Sequence, residues 1–351
     1  MAKKEVMQGN EALAESALRA GCRFFAGYPI TPQTEITEYL STRMNEMPGR
    51  SFVQGESEVA SINMVYGASC AGARAMTATS SQGLSLMTEG MSLLAGQGVP
   101  AVVVDVCRGG PGNCSTNPSQ MNYHFMTKSV GHGGFHAFCL APSTVQETAD
   151  FVYEAFDIAD KYRCLVCIMT DGMLGHLIET VELKPYRDFA DLPKRDWCAR
   201  GNAAGTTINS GDPPLFGEAW AEYHNNMIEG WKRDECRWEE FLADDAETLV
   251  LAWGTVGRVA KTAIRTRRRE GLKVGLIRPI TLFPFPEKVI SEIDETRVKN
   301  ILVMENAMPA QFYEDVKHAL AGKKIPLHLY TRSMGNMISG EEAEAELRKL
   351  V

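Results

Sequence analysis

Residues 74–106 read RAMTATSSQGLSLMTEGMSLLAGQGVPAVVVDV, and the order of patterns in this stretch decides the fold. A short run from Arg74 to Thr79 ends in small hydroxyl residues, a helical stretch follows from Gln82 to Ala95, and an apolar run from Ala101 to Val106 closes the unit. An unbroken apolar strand such as AVVVDV suits burial on both faces of a parallel sheet, and strand, helix, strand is the connection such a sheet needs. Working outward, the same alternation recurs on the amino-terminal side: a helix from Asn10 to Gly21, strands at 23–26 and 51–54, and a helix from Ser57 to Ala71. On the other side, Val145, Ala149, Val152, Phe156 and Ala159 form one helical stripe, and a strand from Cys164 to Met169 follows. The pattern predicts an α/β fold with a mostly parallel sheet over residues 1–185.

From Glu247 the rhythm resumes as strand TLVLAWG, helix RVAKTAIRTRRREG, strand KVGLIRP, helix PEKVISEI, strand NILVMEN, helix AQFYEDVKHALAG and strand PLHLY. This predicts a second α/β unit over 245–351. Residues 186–244 read as a connector, loop-rich through GNAAGTTINSGDPP and turning into an amphipathic charged helix at WKRDECRWEEFLADD. A chain of 351 residues has room for two such cores.

Lys and Arg number 36 against 44 Asp and Glu, a net charge of -8, which argues against gripping phosphate backbones; no nucleic-acid partner is expected. No apolar run approaches the roughly 20 residues that cross a bilayer. The start, MAKKEVMQGNEALAE, lacks the apolar stretch of a secretory signal, so a cytoplasmic protein without a membrane partner is expected. The nine cysteines are scattered through apolar segments, as free thiols in a reducing compartment would be. Cys164 and Cys167 have metal-like spacing, but RCLVCIMT is a buried-strand pattern with no second CxxC, so core packing is the expected role. The run Arg265, Arg267, Arg268 and Arg269 reads as the solvated last turn of a helix.

Residues able to carry chemistry cluster at the carboxyl ends of the predicted strands, where α/β sheets bind ligands. GYPITP, residues 27–32, follows the strand at 23–26; its two prolines stiffen a turn that either presents Tyr28 and Thr31 or simply starts the next helix. Glu58 stands between the strand at 51–54 and a helix, where the macrodipole welcomes any acid and where a carboxylate could also face a cofactor nitrogen. Arg108 precedes Gly109, Gly110 and Pro111, and suits either bidentate recognition of a small carboxylate or a salt bridge to Asp105 or a neighbouring loop. TSSQGLSLM, residues 79–87, opens a helix whose amides could hold an anion, but GxGxxG and the P-loop pattern are absent. Asn113 to Gly134, with STNPSQMNYHF and GHGG, is too long for a casual turn and predicts a functional or interface loop. His132 and His136 could share a metal only on a helix, which the glycines between them oppose. GxSxG is missing, so a hydrolase has no support.

Six segments in one order resemble the alpha subunit of 2-oxoacid:ferredoxin oxidoreductases: GYPITPQTEI (27–36), ESEVASINMVYGAS (56–69), MTATSSQGLSLMTEG (76–90), VDVCRGGPG (104–112), LAPSTVQE (140–147) and LIRPITLFPFP (276–286). With MQGNEAL near the start, the chain is most similar to the 2-oxoisovalerate or branched-chain type, with the 2-oxoglutarate type second. The resemblance implies a pyrimidine-binding thiamine diphosphate domain followed by a domain like the transketolase carboxyl-terminal one. It places the family's glutamate on Glu58, against N1′ of the cofactor's aminopyrimidine; Tyr28, Pro29 and Thr31 beside cofactor and substrate; and Arg108 on the substrate carboxylate. The reaction implied is oxidative decarboxylation of a 2-oxoacid to acyl-CoA and CO₂, with CoA as co-substrate and electrons passed to external ferredoxin. It further implies a beta subunit carrying the diphosphate grip and Mg²⁺, a gamma subunit, and a ferredoxin-like subunit carrying [4Fe-4S] clusters.

Overall fold

A computed structural model describes residues 4–113, 115–199, 217–333 and 335–350. The first half runs β1 (Lys4–Gln8), α1 (Gly9–Arg19), β2 (Phe24–Gly27), α2 (Thr34–Glu46), β3 (Ser51–Gln54), α3 (Glu58–Cys70), β4 (Ala75–Thr79), α4 (Ser81–Leu86), α5 (Thr88–Gly96) and β5 (Ala101–Cys107). It continues through α6 (Tyr123–Lys128), β6 (Phe138–Leu140), α7 (Val145–Tyr162), β7 (Leu165–Asp171), α8 (Gly172–His176) and β8 (Ile178–Glu182). The second half runs α9 (Gly217–Asp234), β9 (Trp238–Phe241), β10 (Thr248–Leu251), α10 (Gly254–Arg269), β11 (Val274–Pro279), β12 (Thr281–Phe283), α11 (Glu287–Ser291), β13 (Asn300–Glu305), α12 (Phe312–Ala319), β14 (Leu327–Thr331) and α13 (Gly340–Arg348).

A seven-stranded sheet of order β12-β6-β7-β5-β4-β2-β3 is parallel except for β12, and a five-stranded sheet of order β14-β13-β10-β11-β9 is parallel except for β9. The central strands β4, β5 and β7 are buried at every residue, which is why they read as nearly continuous apolar runs. One face of the large sheet packs under α1, α2 and α7 through Leu13, Leu18, Ile36, Phe138 and Phe156. Its other face shares a continuous core with the small sheet, through Met91, Met126, Trp253, Leu282 and Phe312. The stripe expected on α7 is buried throughout, and Thr144 caps the helix by accepting from the amide of Glu147 at 3.0 Å.

Several expectations change. The helix expected over 82–95 is two helices meeting at Met87. In the connector, the helix lies earlier than WKRDECRWEEFLADD implies: α9 ends at Asp234, and Trp238–Phe241 is an edge strand antiparallel to β11. Its exposure alternates at a period of two, with Trp238 and Glu240 exposed and Glu239 and Phe241 half-buried, as a half-covered edge strand requires. The loop GNAAGTTINSGDPP lies outside the described residues. Arg267 is not solvated; it is 4% exposed and bridges Glu270 and Glu344, both at 2.6 Å. The segment ITLFPFP carries the chain out of the small sheet into the large one, where β12 pairs with β6. The polar leader also has a structure, since β1 pairs antiparallel with β8 across Lys4↔Glu182 to Gln8↔Ile178.

Candidate functional site

The carboxyl ends of β2, β4 and β5 meet at one edge of the large sheet, and the singled-out residues lie there. Ser57 caps α3 through Ala60, which sets Glu58 in the first turn with its carboxylate in the favourable field of the helix start. Glu58 is 5% exposed. Its side chain lies on the backbone of Gly83: a Cβ added there would fall 2.5 Å from Glu58 Oε1 and 2.1 Å from Thr79 Oγ1. Gly83 is therefore a packing requirement of the carboxylate.

The turn after β2 is held from four directions. Gln33, fully buried, donates from Nε2 to the carbonyl of Tyr28 (3.0 Å) and accepts at Oε1 from Thr37 (3.0 Å). Asn10 donates from Nδ2 to the carbonyl of Pro32 (2.9 Å) and to Glu35 (2.8 Å). Gly172 packs against the Pro32 ring. Arg108 donates from Nη1 to the carbonyl of Thr31 at 2.7 Å. So tied, the turn leaves Tyr28, Pro29 and Thr31 exposed at the mouth. Asn10 and Gln33 carry this anchoring, and reading the motif alone missed Asn10, which stands 22 residues from Pro32.

Arg108 is 8% exposed, and its Nε has no partner. Burial pulls its pKa down, and the nearby Glu58 carboxylate opposes that shift, so the two charges sense each other. The salt bridge to Asp105 weighed from sequence does not form. Asp105 accepts instead from the Ser81 amide (3.0 Å), Asn122 Nδ2 (2.7 Å) and the Cys107 thiol (3.1 Å). Burial raises its pKa, against those three donors. Unpartnered buried atoms also include Thr79 Oγ1 and Gln82 Oε1. A carboxylate and a guanidinium Nε thus stand together with free hydrogen-bonding capacity, in a setting able to hold a polar heterocycle and a small acid.

The long loop answers to the second half of the chain. Gln120 and Asn306 exchange bonds: the Gln120 amide donates to the Asn306 carbonyl (2.9 Å), and the Asn306 amide donates to Gln120 Oε1 (2.8 Å). Gln311 accepts from the His124 amide (2.8 Å) and donates to the Met121 carbonyl (2.7 Å), while Tyr123 Oη donates to Asp315 (2.6 Å). Glu305, buried, accepts from the amides of Gln311, Phe312 and Tyr313 and so anchors the start of α12. His136 is stacked between Phe283 (4.1 Å) and His224, not placed beside His132 as one metal site. The eight described cysteines are free thiols, and Cys164 and Cys167 are buried. Among the described residues no helix is long and apolar enough to cross a membrane.

Comparison with known proteins identifies the family of the chain. Residues 15–235 match the family described as pyruvate flavodoxin/ferredoxin oxidoreductase, thiamine diphosphate-binding, and residues 246–343 match the pyruvate:ferredoxin oxidoreductase core domain II. The chain is 41% identical over 351 residues to the ketoisovalerate oxidoreductase subunit VorB of Methanothermobacter thermautotrophicus, covering 99% of this chain and 97% of that one. It is 36% identical over 338 residues to the 2-oxoglutarate synthase subunit KorA of Methanocaldococcus jannaschii, covering 89% and 91%. Among solved structures, 2-oxoglutarate:ferredoxin oxidoreductase from Magnetococcus marinus, with 2-oxoglutarate, coenzyme A and succinyl-CoA bound, superposes with a TM-score of 0.83 at 25% identity over 99% of this chain. The present chain spans 65% of that one. A split-gene transketolase, 12% identical with a TM-score of 0.61, shares the fold. The chain belongs to the 2-oxoacid:ferredoxin oxidoreductase family, as an alpha-type subunit carrying its thiamine diphosphate-binding domain.

Proposed function

We propose that this subunit supplies the pyrimidine side of a divided thiamine diphosphate site that oxidises a branched-chain 2-oxoacid, 2-oxoisovalerate or a close analogue, to its acyl-CoA and CO₂. The observation that carries the reading is the buried Glu58 carboxylate, seated on the bare backbone of Gly83 and within the electrostatic reach of Arg108, whose buried Nε is unpartnered. Thiamine diphosphate supplies, when bound, the carbon nucleophile and electron sink that decarboxylation of a 2-oxoacid needs. Glu58 would accept a hydrogen bond from the protonated pyrimidine nitrogen and hold that proton in place. Arg108, braced on the Thr31 carbonyl, would bind the substrate carboxylate through its guanidinium. Tyr28, Pro29 and Thr31 would form the wall that keeps water from the reacting carbon.

The working partition is a cofactor-binding unit over 1–185, a connector over 186–244 and a transketolase-like unit over 245–351. Partners follow from the family resemblance: it assigns the diphosphate and Mg²⁺ to a beta subunit and the [4Fe-4S] clusters to a ferredoxin-like subunit that passes electrons to external ferredoxin, with a gamma subunit completing the assembly. Exposed apolar side chains on the segments around the mouth, Tyr28, Val59, Leu86 and Met173, favour a covering partner. Supporting the branched-chain substrate is the relative named for ketoisovalerate; the relative named for 2-oxoglutarate supports the second reading.

The test is 2-oxoacid-dependent viologen reduction by the chain assembled with its neighbouring subunits. Glu58→Ala is expected to leave assembly intact and lower turnover at least 100-fold, with kcat/KM for 2-oxoisovalerate exceeding that for 2-oxoglutarate in the unmodified enzyme. Near-normal turnover by Glu58→Ala would refute the role, and the reverse substrate preference would move the assignment to the 2-oxoglutarate type.

A further inference from the structure

Arg108 can select a carboxylate only if its backbone is fixed, and the structure shows what fixes it. The Ser81 hydroxyl donates to the Arg108 carbonyl (3.0 Å) and accepts from the Arg108 amide (3.0 Å). Its remaining lone pair accepts from Asn122 Nδ2 at 2.9 Å. One hydrogen and two lone pairs are all a serine hydroxyl has, so this hub is saturated. The second hydrogen on Asn122 Nδ2 goes to Asp105 Oδ2 (2.7 Å), and Asp105 Oδ1 accepts from the Ser81 amide (3.0 Å). Asn122, Ser81 and Asp105 therefore close a ring in which every donor is matched to an acceptor. Asn122 itself sits in the loop that Asn306, Gln311 and Asp315 grip from the second half of the chain.

We propose that Asn122 is a positioning residue for Arg108: through Ser81 and Asp105 it holds the arginine at the site and links it to the far half of the subunit. The proposal rests on the reading of Arg108 as the substrate-carboxylate ligand. Its chemistry demands an amide opposite a carboxylate. Asp105 is fully buried, so a second carboxylate at position 122 would have to share a proton with it. The groups around Asp105 do not relieve this. Cys107 on its own strand, Cys139 on β6 and Cys167 on β7 are buried thiols with raised pKa, neutral in this range, and Asp171 at the end of β7 is another carboxylate. Arg108, the nearby cation, points to the Thr31 carbonyl, with Glu58 beyond it.

The experiment uses the assembled enzyme and measures KM for the 2-oxoacid and kcat between pH 6 and 8. Asn122→Asp is expected to raise KM about tenfold at pH 8 with a smaller change in kcat, and to recover as the pH falls and the added carboxyl takes up its proton. Asn122→Ala, which brings no charge, is expected to raise KM without the added pH dependence. The double variant Asp105→Asn with Asn122→Asp relieves the carboxylate pair but leaves the Ser81 lone pair facing an acceptor, so it is expected to lose the added pH dependence and keep a KM like that of Asn122→Ala. An unchanged KM in both single variants, or a double variant that keeps the pH dependence of Asn122→Asp, would overturn the proposal. Arg108→Ala separates the two layers: if it leaves KM unchanged, the reading of Arg108 has failed; if it raises KM while the Asn122 variants do not, only the positioning role has.

Discussion

Gly83 shows how one missing side chain can set a site. It opens onto the Glu58 carboxylate and Thr79 Oγ1 at distances no Cβ tolerates, so any larger residue must push Glu58 aside. Gly83→Ala is expected to lower turnover of the assembled enzyme by one to two orders of magnitude, while the subunit unfolds only a few degrees earlier. Steady-state kinetics and a melting curve on the same preparation check this; an unchanged kcat would show that the contact relaxes at no cost to Glu58. The sequence places Gly83 in TSSQGLSLM but shows nothing of what faces it. That Glu58 opens a helix was legible from the sequence, while its assignment to a cofactor came with the family resemblance. The bond from Arg108 to the Thr31 carbonyl was not, because the two residues stand 77 apart in the chain.

At the scale of elements, α12 and its anchor tie the long loop to the second half of the chain. Glu305 accepts three amide hydrogen bonds at the start of α12, and this fixes Gln311 where it can grip Met121 and His124. Glu305→Gln replaces one accepting oxygen by an NH₂ that faces amide donors. It is expected to cost about 1–3 kcal/mol, read as a lower urea midpoint with unchanged slope. A midpoint that does not move would mean that α12 starts correctly without the carboxylate. The strands and helices of this half follow from their apolar periodicity. The strand at Trp238–Phe241 does not, since its charged and aromatic residues satisfy a helical reading as well as an edge-strand one until the partner β11 is known.

For the whole molecule, the two halves are stitched by a few charged contacts as well as by the shared core. Glu179 on β8 accepts from Arg258 of α10 at 2.6 Å and from the amide of Val145 at 2.9 Å, and the arginine holds its carboxyl below its ordinary value near 4.5. A depressed carboxylate contributes stability that is complete above the unfolded value and is lost as pH falls through the folded one. Glu179→Gln is therefore expected to be less stable than the unmodified chain at pH 7, with the gap closing as the pH falls below the ordinary carboxylate value and through the depressed folded one. Chemical denaturation at several pH values checks this, and a gap independent of pH would show that Glu179 acts without its charge.

The sequence by itself determined the parallel core strands, the stripe on α7, the free thiols and the gathering of Glu58, Thr31 and Arg108 at strand ends. Apolar periodicity, turn residues and caps are local properties, expressed wherever the chain folds. Only the tertiary structure decided that β1 pairs with β8, that β12 leaves one sheet for the other, that Gln120 and Asn306 lock across the molecule, and that Asp105 faces Asn122 and not Arg108. Each of these joins distant segments, and the partner of a buried polar group is chosen by which donor reaches it once the cores have packed.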